Sequence, residues 1–242
     1  MRILAIANLT RAFAGFKAVN NVDLSLASGE VRGLIGSNGA GKSTLLDLIY
    51  GRRDADTGSI VFGGEDVTSI PAGERARLGM GLVFQIANLF GDLTVEQNLR
   101  LGALPKRPGT RMQLDTAEVD RILGLIELTG SRNDRADNLS HGAQQWLEIG
   151  MVLLTRPRLL LLDEPTSGMT RSESRRTAEL FRLLMEGGEV ESMIVVEHNI
   201  EFISLVSDKV TVMHRGSILA EGTVADVKAN EEVQAAYLGR LR

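Results

Sequence analysis

The chain has 242 residues, no cysteine, and 27 basic against 31 acidic side chains, which gives a formal net charge of −4. Without cysteine it has no disulfide bond, thiolate metal ligand or cysteine nucleophile, and without an excess of lysine and arginine it is not expected to bind nucleic acid. The 43% apolar and 24% charged residues are typical of a soluble globular protein.

Residues 3–7 form a short apolar run after Arg2. This run is too short for a secretory signal and instead predicts a first β-strand. No stretch of the sequence approaches the ~18 uninterrupted apolar residues of a membrane-spanning helix. We therefore expect a cytoplasmic protein that associates with a membrane only through a partner.

Apolar segments and glycine-rich turns then alternate in an α/β rhythm. Strands are predicted, in chain order, at 30–35, 59–62, 81–84, 159–162, 193–196 and 210–213. The apolar residues at 45–49 predict a helix that ends at Gly51, and a turn-rich region with Pro71 and Gly73 follows the second strand. The last three strands look buried, with Thr211 as their one polar residue, which predicts a parallel sheet covered on both faces.

The strand pattern disappears between residues 88 and 138. Thr94 and Gln97 have the spacing of a capping box at the start of a helix, and residues 114–128 show helical spacing of apolar side chains. The sequence therefore predicts an α/β core that is interrupted by a helical insertion.

A glycine-rich loop at 36–43 satisfies the pattern G-x-x-x-x-G-K-[ST], between a predicted strand and a predicted helix. Glycines let the backbone N–H groups point at phosphate oxygens, and the following helix N-terminus adds partial positive charge. Lys42 supplies a cation for the β- and γ-phosphates, and Ser43 a hydroxyl for Mg²⁺. The predicted ATP-binding residues of this loop are Gly36, Ser37, Asn38, Gly39, Ala40, Gly41, Lys42, Ser43 and Thr44. The alternative is a glycine-rich turn that binds no ligand.

Two acids, Asp163 and Glu164, follow the leucine strand at 159–162. Ligands of a parallel sheet lie at the carboxyl ends of its strands, so both acids should lie beside the phosphate loop. We expect Asp163 to hold Mg²⁺ and Glu164 to polarise a water molecule beyond the γ-phosphate. The alternative is a solvated turn before Pro165.

Together with other residues, these motifs resemble the ATP-binding subunits of ABC transporters over essentially the whole chain. The phosphate loop and the acid pair resemble the Walker A and Walker B motifs, and residues 139–143, Leu-Ser-His-Gly-Ala, resemble the signature motif Leu-Ser-Gly-Gly-Gln. Gln85 matches the Q-loop glutamine and His198 the switch histidine, while residues 167–170 take the D-loop position.

The resemblance also places an aromatic ring on adenine. Phe13 stands at the family position of that ring. Phe16 is close enough in sequence to stack on adenine instead, and either ring could belong to the core.

The resemblance implies an α/β fold of the P-loop NTPase (ABC ATPase) class, with a parallel core sheet, an N-terminal antiparallel β part and a helical subdomain. One domain would span 1–242, with 1–87 and 139–242 as core and about 88–138 as the helical subdomain. The implied catalytic residues are Glu164, His198 and Gln85, and the implied metal ligands are Ser43, Gln85 and Asp163.

The resemblance further implies that two subunits close head to tail around two ATP molecules. Ser140, His141 and Gly142 of one subunit would complete the phosphate site of the other, since Ser140 is a good N-cap for a helix aimed at that phosphate. Residues 85–101 would receive a coupling helix of a membrane permease.

The implied cofactors are ATP and Mg²⁺. The implied partners are permease subunits, a second ATP-binding subunit (a related chain or a copy of this one) and, indirectly, an extracytoplasmic binding protein. The chain would lie at the cytoplasmic face of the membrane.

Four segments resemble the ATP-binding subunits of importers for urea, amides and branched-chain amino acids, and they are most similar to the urea type. The segments are 139–151, 169–170, 220–223 and 236–239. The cargo is chosen by the permease and the binding protein, so the expected function is ATP-driven uptake of urea, short amides or branched-chain amino acids. A soluble ABC ATPase without a transport role is the alternative. A small P-loop kinase would leave His198 and residues 139–142 unexplained.

Three residues depart from the family pattern: His141 and Ala143 in the signature, and Thr170 in the D-loop. A glutamine at 143 would close a capping box with Ser140, which alanine cannot do. We therefore expect a functional but weakened signature, unless water or Gln144 replaces the bond. The alternative is that position 143 faces solvent and tolerates any residue.

Overall fold

The computed structural model describes residues 1–102 and 115–238, which form two β-sheets with helices packed around them. The strands are β1 (Arg2–Phe13), β2 (Phe16–Ala27), β3 (Val31–Gly36), β4 (Thr57–Phe62), β5 (Glu65–Asp66), β6 (Met80–Val83), β7 (Leu159–Asp163), β8 (Ser192–Val196), β9 (Lys209–His214) and β10 (Ser217–Gly222). The helices are α1 (Lys42–Tyr50), α2 (Ala72–Leu78), α3 (Val95–Gly102), α4 (Thr116–Leu125), α5 (His141–Leu153), α6 (Arg171–Glu186), α7 (Ile200–Val206), α8 (Val224–Ala229) and α9 (Glu231–Val233), followed by a π-helical turn at Gln234–Leu238.

The larger sheet has the strand order β10-β9-β3-β8-β7-β6 and is parallel except for β10, which runs antiparallel to β9. The four leucines of β7 are fully buried because both faces of the sheet are covered. Leu159 and Leu161 pack into the core on the α1 side, and Leu160 and Leu162 pack into the core with α5 and α6. The predicted parallel sheet is confirmed, with strand bounds shifted by a residue or two.

The smaller sheet is antiparallel, in the order β2-β1-β4-β5. β1 and β2 form a hairpin whose turn residues, Ala14 and Gly15, have φ of +46° and +86°, as the favoured two-residue hairpin turns require. This sheet is the antiparallel part that the family resemblance implied. The sequence patterns themselves predicted only the start of β1 and most of β4, and they missed β2.

The helices agree only in part with the sequence-based expectations. α1 ends where predicted, with Gly51 in the left-handed conformation at φ +81°. The region with Pro71 contains a helix as well as turns, since α2 begins directly after that proline. The patterns did not predict α6, α7 or α8, which cover the larger sheet and its last strands.

The predicted helical insertion contains α3 and α4, which pack with α5 against one face of the larger sheet. The capping box is confirmed: Gln97 N–H donates to Thr94 Oγ1 at 3.2 Å, and Thr94 N–H donates to Gln97 Oε1 at 2.9 Å. The helix predicted at 114–128 begins at Thr116 and ends at Leu125, while Leu114 lies outside the described residues. The division at 88 and 138 into core and subdomain stays a prediction. None of the helices in the described ranges is long and apolar enough to cross a membrane.

Candidate active site

The glycine-rich loop joins β3 to α1 at the carboxyl edge of the larger sheet. Gly41 has φ +104° and lies so close to β2 that a Cβ atom would stand 2.1 Å from the Ala18 carbonyl oxygen. A Cβ atom on Gly36 would stand 2.3 Å from the Met213 carbonyl oxygen on β9. Both positions therefore require glycine, and the two contacts fix the loop between the two sheets.

Lys42 opens α1 and is 6% exposed. Its Nζ donates to the carbonyl oxygens of Gly36 at 2.8 Å and Ser37 at 3.2 Å, so the ammonium group lies inside the curl of the loop. Burial lowers the pKa of Lys42, and the nearby charges of Glu164 and Asp163 act in the opposite direction. The loop thus presents a desolvated cation, which interacts more strongly with phosphate than a cation in water would.

Asp163 ends β7 beside the start of α1. The Ser43 hydroxyl bonds its carboxylate, and burial is the largest influence on this group and raises its pKa. Its Oδ1 atom is buried and has no hydrogen-bond partner within the described ranges. A buried carboxylate oxygen without a donor suits a cation, so Asp163 and Ser43 fit Mg²⁺. No group of three or more His, Asp or Glu side chains that could hold a metal occurs in the described part of the chain. Proteins bind Mg²⁺ through one or two carboxylates together with phosphate oxygens and water.

Glu164, Gln85 and His198 come together from three segments of the chain. Gln85 Nε2 donates to Glu164 Oε2 at 2.9 Å, and His198 Nδ1 lies 3.7 Å from the same oxygen. Glu164 has a left-handed backbone, with φ +48°, and its N–H donates to the Val196 carbonyl oxygen of β8 at 2.9 Å. A left-handed conformation is uncommon for glutamate and is often found at functional sites. It turns the side chain out of the strand direction at the sheet edge.

These residues surround an open cleft of about 680 Å³. Its lining consists of the loop residues 36–44 together with Gln85, Glu164, His198 and Ala236. All the predicted loop residues and all three predicted catalytic residues therefore face one space. Asp163 contacts this site through Ser43.

Phe13 and Phe16 are opposite each other at the end of the β1–β2 hairpin. The guanidinium carbons of Arg11 and Arg53 lie 5.1 and 5.2 Å from the centre of the Phe13 ring, and Phe16 is 61% exposed. Neither ring is among the described residues that line the cleft. A contact of Phe13 with adenine stays a prediction, and it would compete with these cation–π contacts.

The signature residues begin α5, away from the lining of the cleft. Ser140 is the N-cap, and its Oγ accepts from Ala143 N–H at 3.3 Å. His141 is exposed and Gly142 is buried. Gln144 Nε2 donates to the Ala136 carbonyl oxygen at 3.0 Å, and replacement of the missing bond by Gln144 stays a prediction. Ala143 is half-buried against the core, so the alternative, that position 143 simply faces solvent, is wrong.

The D-loop ends at Thr170, the N-cap of α6. Its N–H donates to Glu173 Oε2 at 2.8 Å, and Glu173 N–H donates to Thr170 Oγ1 at 3.3 Å. The two residues form a complete capping box. Threonine in place of the family's aspartate therefore still caps this helix.

Comparisons with known proteins agree with this geometry. Residues 19–167 match the ABC transporter family. The high-affinity branched-chain amino acid transport ATP-binding protein LivG of Escherichia coli is 33% identical over 98% of this chain and 98% of its own length. The corresponding protein BraF of Pseudomonas aeruginosa is also 33% identical, over 98% of both chains. The chain belongs to the ABC transporter family. It is an ATP-binding, ATP-hydrolysing subunit of the branched-chain amino acid importer type.

Solved ABC cassettes share this fold over nearly the whole chain. The ADP conformation of an ATP-binding cassette of an ABC transporter is 29% identical, with a TM-score of 0.89 and 99% of each chain covered. A nucleotide-free cassette is 28% identical, with a TM-score of 0.86 over 98% of this chain and 99% of that one. Residues 217–240 match the family of branched-chain amino acid ATP-binding cassette transporters. The similarity to the urea type finds no support in these relatives and stays a prediction.

Two residues near the ATPase site were missed by sequence reasoning. Glu197 is 1% exposed, accepts from Thr166 N–H at 3.0 Å and from His198 N–H at 3.2 Å, and so links two loops at the sheet edge. Ala236, in the C-terminal π-helical turn, lines the cleft. The position of Glu197 next to His198 is a local signal for the first. Nothing in the sequence around Ala236 indicated the second.

Proposed function

We propose that this ABC subunit drives uptake of a small amino acid or amide, branched-chain amino acids being the first choice, by hydrolysing Mg-ATP in the cleft. The observation that supports it best is the contact of Glu164 with Gln85 and His198 opposite the phosphate loop. Branched-chain amino acid subunits among the relatives favour that cargo. Urea and short amides remain within the proposal as the cargo of the same branch.

Each residue has a distinct role in the proposed reaction. Lys42 and the loop N–H groups hold the phosphates, and Asp163 and Ser43 hold Mg²⁺, which neutralises phosphate charge when bound. Glu164 accepts a proton from the attacking water at its carboxylate, since this side chain lines the cleft. Gln85 donates to Oε2 of this carboxylate and orients it, and His198 Nδ1 lies 3.7 Å from the same oxygen. Gln85 is also a proposed metal ligand through its amide oxygen.

A second ATP-binding subunit is part of this proposal. Ser140, His141 and Gly142 do not line this chain's own cleft among the described residues. They begin α5, and the N-terminus of this helix carries partial positive charge that attracts an anion. In a head-to-tail pair they would contact the γ-phosphate bound to the partner, which is either a related subunit or a second copy of this chain.

The proposed membrane contact lies next to Gln85. Ile86 is 80% exposed and Phe90, four residues further along the same segment, is 55% exposed, while Leu101 in α3 is 45% exposed. Large exposed apolar residues favour a protein interface. We infer that a permease helix covers them and holds the subunit peripherally at the cytoplasmic face of the membrane. The binding protein on the other side would contribute to cargo choice without contact with this chain.

Two substitutions test the ATPase site. Glu164→Gln keeps the shape of the side chain but removes the basic oxygen, so Mg-ATP should still bind while hydrolysis falls on the order of 10² to 10⁴-fold. Lys42→Ala should lose ATP binding itself, because the triphosphate loses its buried cation. Undiminished turnover in Glu164→Gln, or undiminished ATP affinity in Lys42→Ala, would contradict these assignments.

Copurification tests the transport role against a soluble ABC ATPase. The full chain, expressed in its own cells and isolated from detergent-solubilised membranes, should bring down a polytopic permease. Replacing Ile86 and Phe90 with serine should release the permease while ATP affinity is retained. An ATPase recovered only from the soluble fraction, with no permease, would favour the alternative.

A further inference from the structure

The segment that carries Gln85 leaves the sheet at the end of β6 and is held at both ends by one side chain of α5. Glu148 Oε2 accepts from Phe84 N–H at 3.3 Å, and Glu148 Oε1 accepts from Asn88 N–H at 3.1 Å. Gln145 adds a third contact, since its Nε2 donates to the Phe84 carbonyl oxygen at 2.9 Å. Residues 84–88 are thus tied to α5 on both sides of Gln85.

These two side chains of α5 are buried. Glu148 is 4% exposed and Gln145 is 2% exposed, and residues three apart lie on one face of a helix. Burial raises the pKa of Glu148 to about 7, against the two N–H donors that lower it. A polar group kept in such a place is costly unless its hydrogen bonds are made. An apolar residue would be buried at position 148 at lower cost, so the hydrogen bonds to Phe84 N–H and Asn88 N–H are the physical reason for a carboxylate there.

The position of Glu148 on α5 gives these contacts a further consequence. The helix begins at His141 with Ser140 as its N-cap, and Glu148 lies about two turns further on. Between the two backbone groups that Glu148 holds, the side chain of Gln85 donates to Glu164. A rotation of α5 therefore moves the backbone on both sides of Gln85 and changes where its amide meets Glu164.

We propose that Glu148 is a positioning residue, which fixes Gln85 against Glu164 and couples that contact to the helix of the signature motif. This inference depends on the proposed roles of Gln85 and Glu164. In an assembled pair, α5 meets the nucleotide of the partner, so Glu148 links the occupancy of one ATP site to the geometry of the other. Gln145 supports the same link through Phe84.

A double-mutant cycle on the full chain tests this role. Glu148→Gln preserves the size of the side chain but leaves one acceptor oxygen for the two N–H groups of Phe84 and Asn88. The NH₂ group of the new amide would face the other N–H group, and two donors repel each other. We expect kcat for ATP hydrolysis to fall on the order of 10-fold or more, as small misplacements near a reacting centre do. KM for ATP should change less than about twofold, because the phosphate loop is untouched. In a Gln85→Ala background, the same substitution should have almost no further effect on kcat.

The matched control is Glu30→Gln, a substitution at another buried carboxylate. Glu30 is 8% exposed and bonds Ala27 N–H and Arg32 at the opposite end of β3, so this variant should be less stable yet keep the normal kcat below its unfolding temperature. If Glu148→Gln does not fold, Gln145→Met removes the Phe84 contact and should show the same pattern. The emission of Trp146, the one tryptophan in the chain, reports whether α5 still packs.

The outcomes separate this role from the ATPase assignment. An equal loss of kcat in both backgrounds, or a raised KM with unchanged kcat, means that Glu148 is only structural. A Gln85→Ala variant with normal hydrolysis also overturns the positioning role. In either case, loss of hydrolysis in Glu164→Gln would still support the ATPase site.

Discussion

Replacing Arg75 with methionine should strongly destabilise the protein. Arg75 lies in α2 and is 2% exposed, and within the described ranges its guanidinium group donates to backbone carbonyl oxygens. Its Nη1 donates to Leu48 and Ile49, both at 2.7 Å, its Nε to Ile70 at 2.6 Å and its Nη2 to Thr68 at 2.9 Å. Leu48 and Ile49 belong to the last turn of α1, where helical carbonyl groups lack partners within the helix. The guanidinium group therefore caps the helix that carries the phosphate loop.

The size of the effect follows from these four bonds. A hydrogen bond from a charged donor contributes ~1.5–3 kcal/mol, and a buried acceptor that is left unpaired loses a comparable amount. Methionine recovers the apolar contacts of the stem, and the cost of burying a charge is no longer incurred. The bonds are also not additive, since they share one group. We expect a net loss of about 3 kcal/mol in the free energy of unfolding.

Urea denaturation followed by Trp146 emission measures this loss. A 3 kcal/mol change corresponds to a midpoint shift of about 1 M or more for ordinary urea m-values. Arg77→Met is the matched control, because Arg77 lies in the same helix but is exposed. It should change the free energy of unfolding by less than about 0.5 kcal/mol. A loss below about 1 kcal/mol for Arg75→Met, or an equal loss in both variants, would refute the capping argument.

Three further outcomes are expected. Gly41→Ala should abolish binding of a fluorescent ATP analogue at micromolar concentration, because its Cβ would meet the Ala18 carbonyl oxygen at 2.1 Å; measurable affinity would show that the loop can shift. The pKa of Glu148 is about 7 in the folded protein against 4.5 ordinarily, so the folded state retains a proton that the unfolded state releases. The free energy of unfolding of the native protein should therefore fall between pH 4.5 and 7 by about 3 kcal/mol relative to Glu148→Gln, and parallel denaturation profiles of the two proteins would contradict this. Ala143→Gln in the assembled transporter should raise hydrolysis at the partner's site, by restoring a bond to Ser140 N–H. A gain at this chain's own site instead would contradict the expectation.

The contiguous parts of the site could be predicted from the sequence. Residues 36–44 and the acids at the end of β7 each lie within a short segment whose residue types are set by phosphate and metal chemistry. Their convergence follows from the rule that ligands lie at the carboxyl edge of a parallel sheet. Gln85 and His198 each carried little signal by themselves and were assigned through the family resemblance.

The missing parts depend on packing between distant segments. β2 alternates buried and exposed residues. It therefore lacks the run of consecutive apolar residues by which the strands of the larger sheet were predicted. The bonds of Glu148 to residues 84 and 88 join segments about 60 residues apart, and no local pattern encodes them. The contact between the Phe13 ring and Arg53, which lies just after the end of α1, also joins segments that are distant in the sequence.

The composition of β7 has a consequence for how the strand finds its register. Because Leu159 to Leu162 are apolar on both faces, a slip by one residue would exchange the faces without exposing a polar side chain to either core. The strand is instead defined by its ends. Arg158, bonded to Glu191 near the surface, would enter the sheet on a slip in one direction, and Asp163, the last residue of β7, would move further into it on a slip in the other. Burying either charge without its partner is expensive. Asp163, which contacts the nucleotide site through Ser43, therefore also helps to align the strand that carries it.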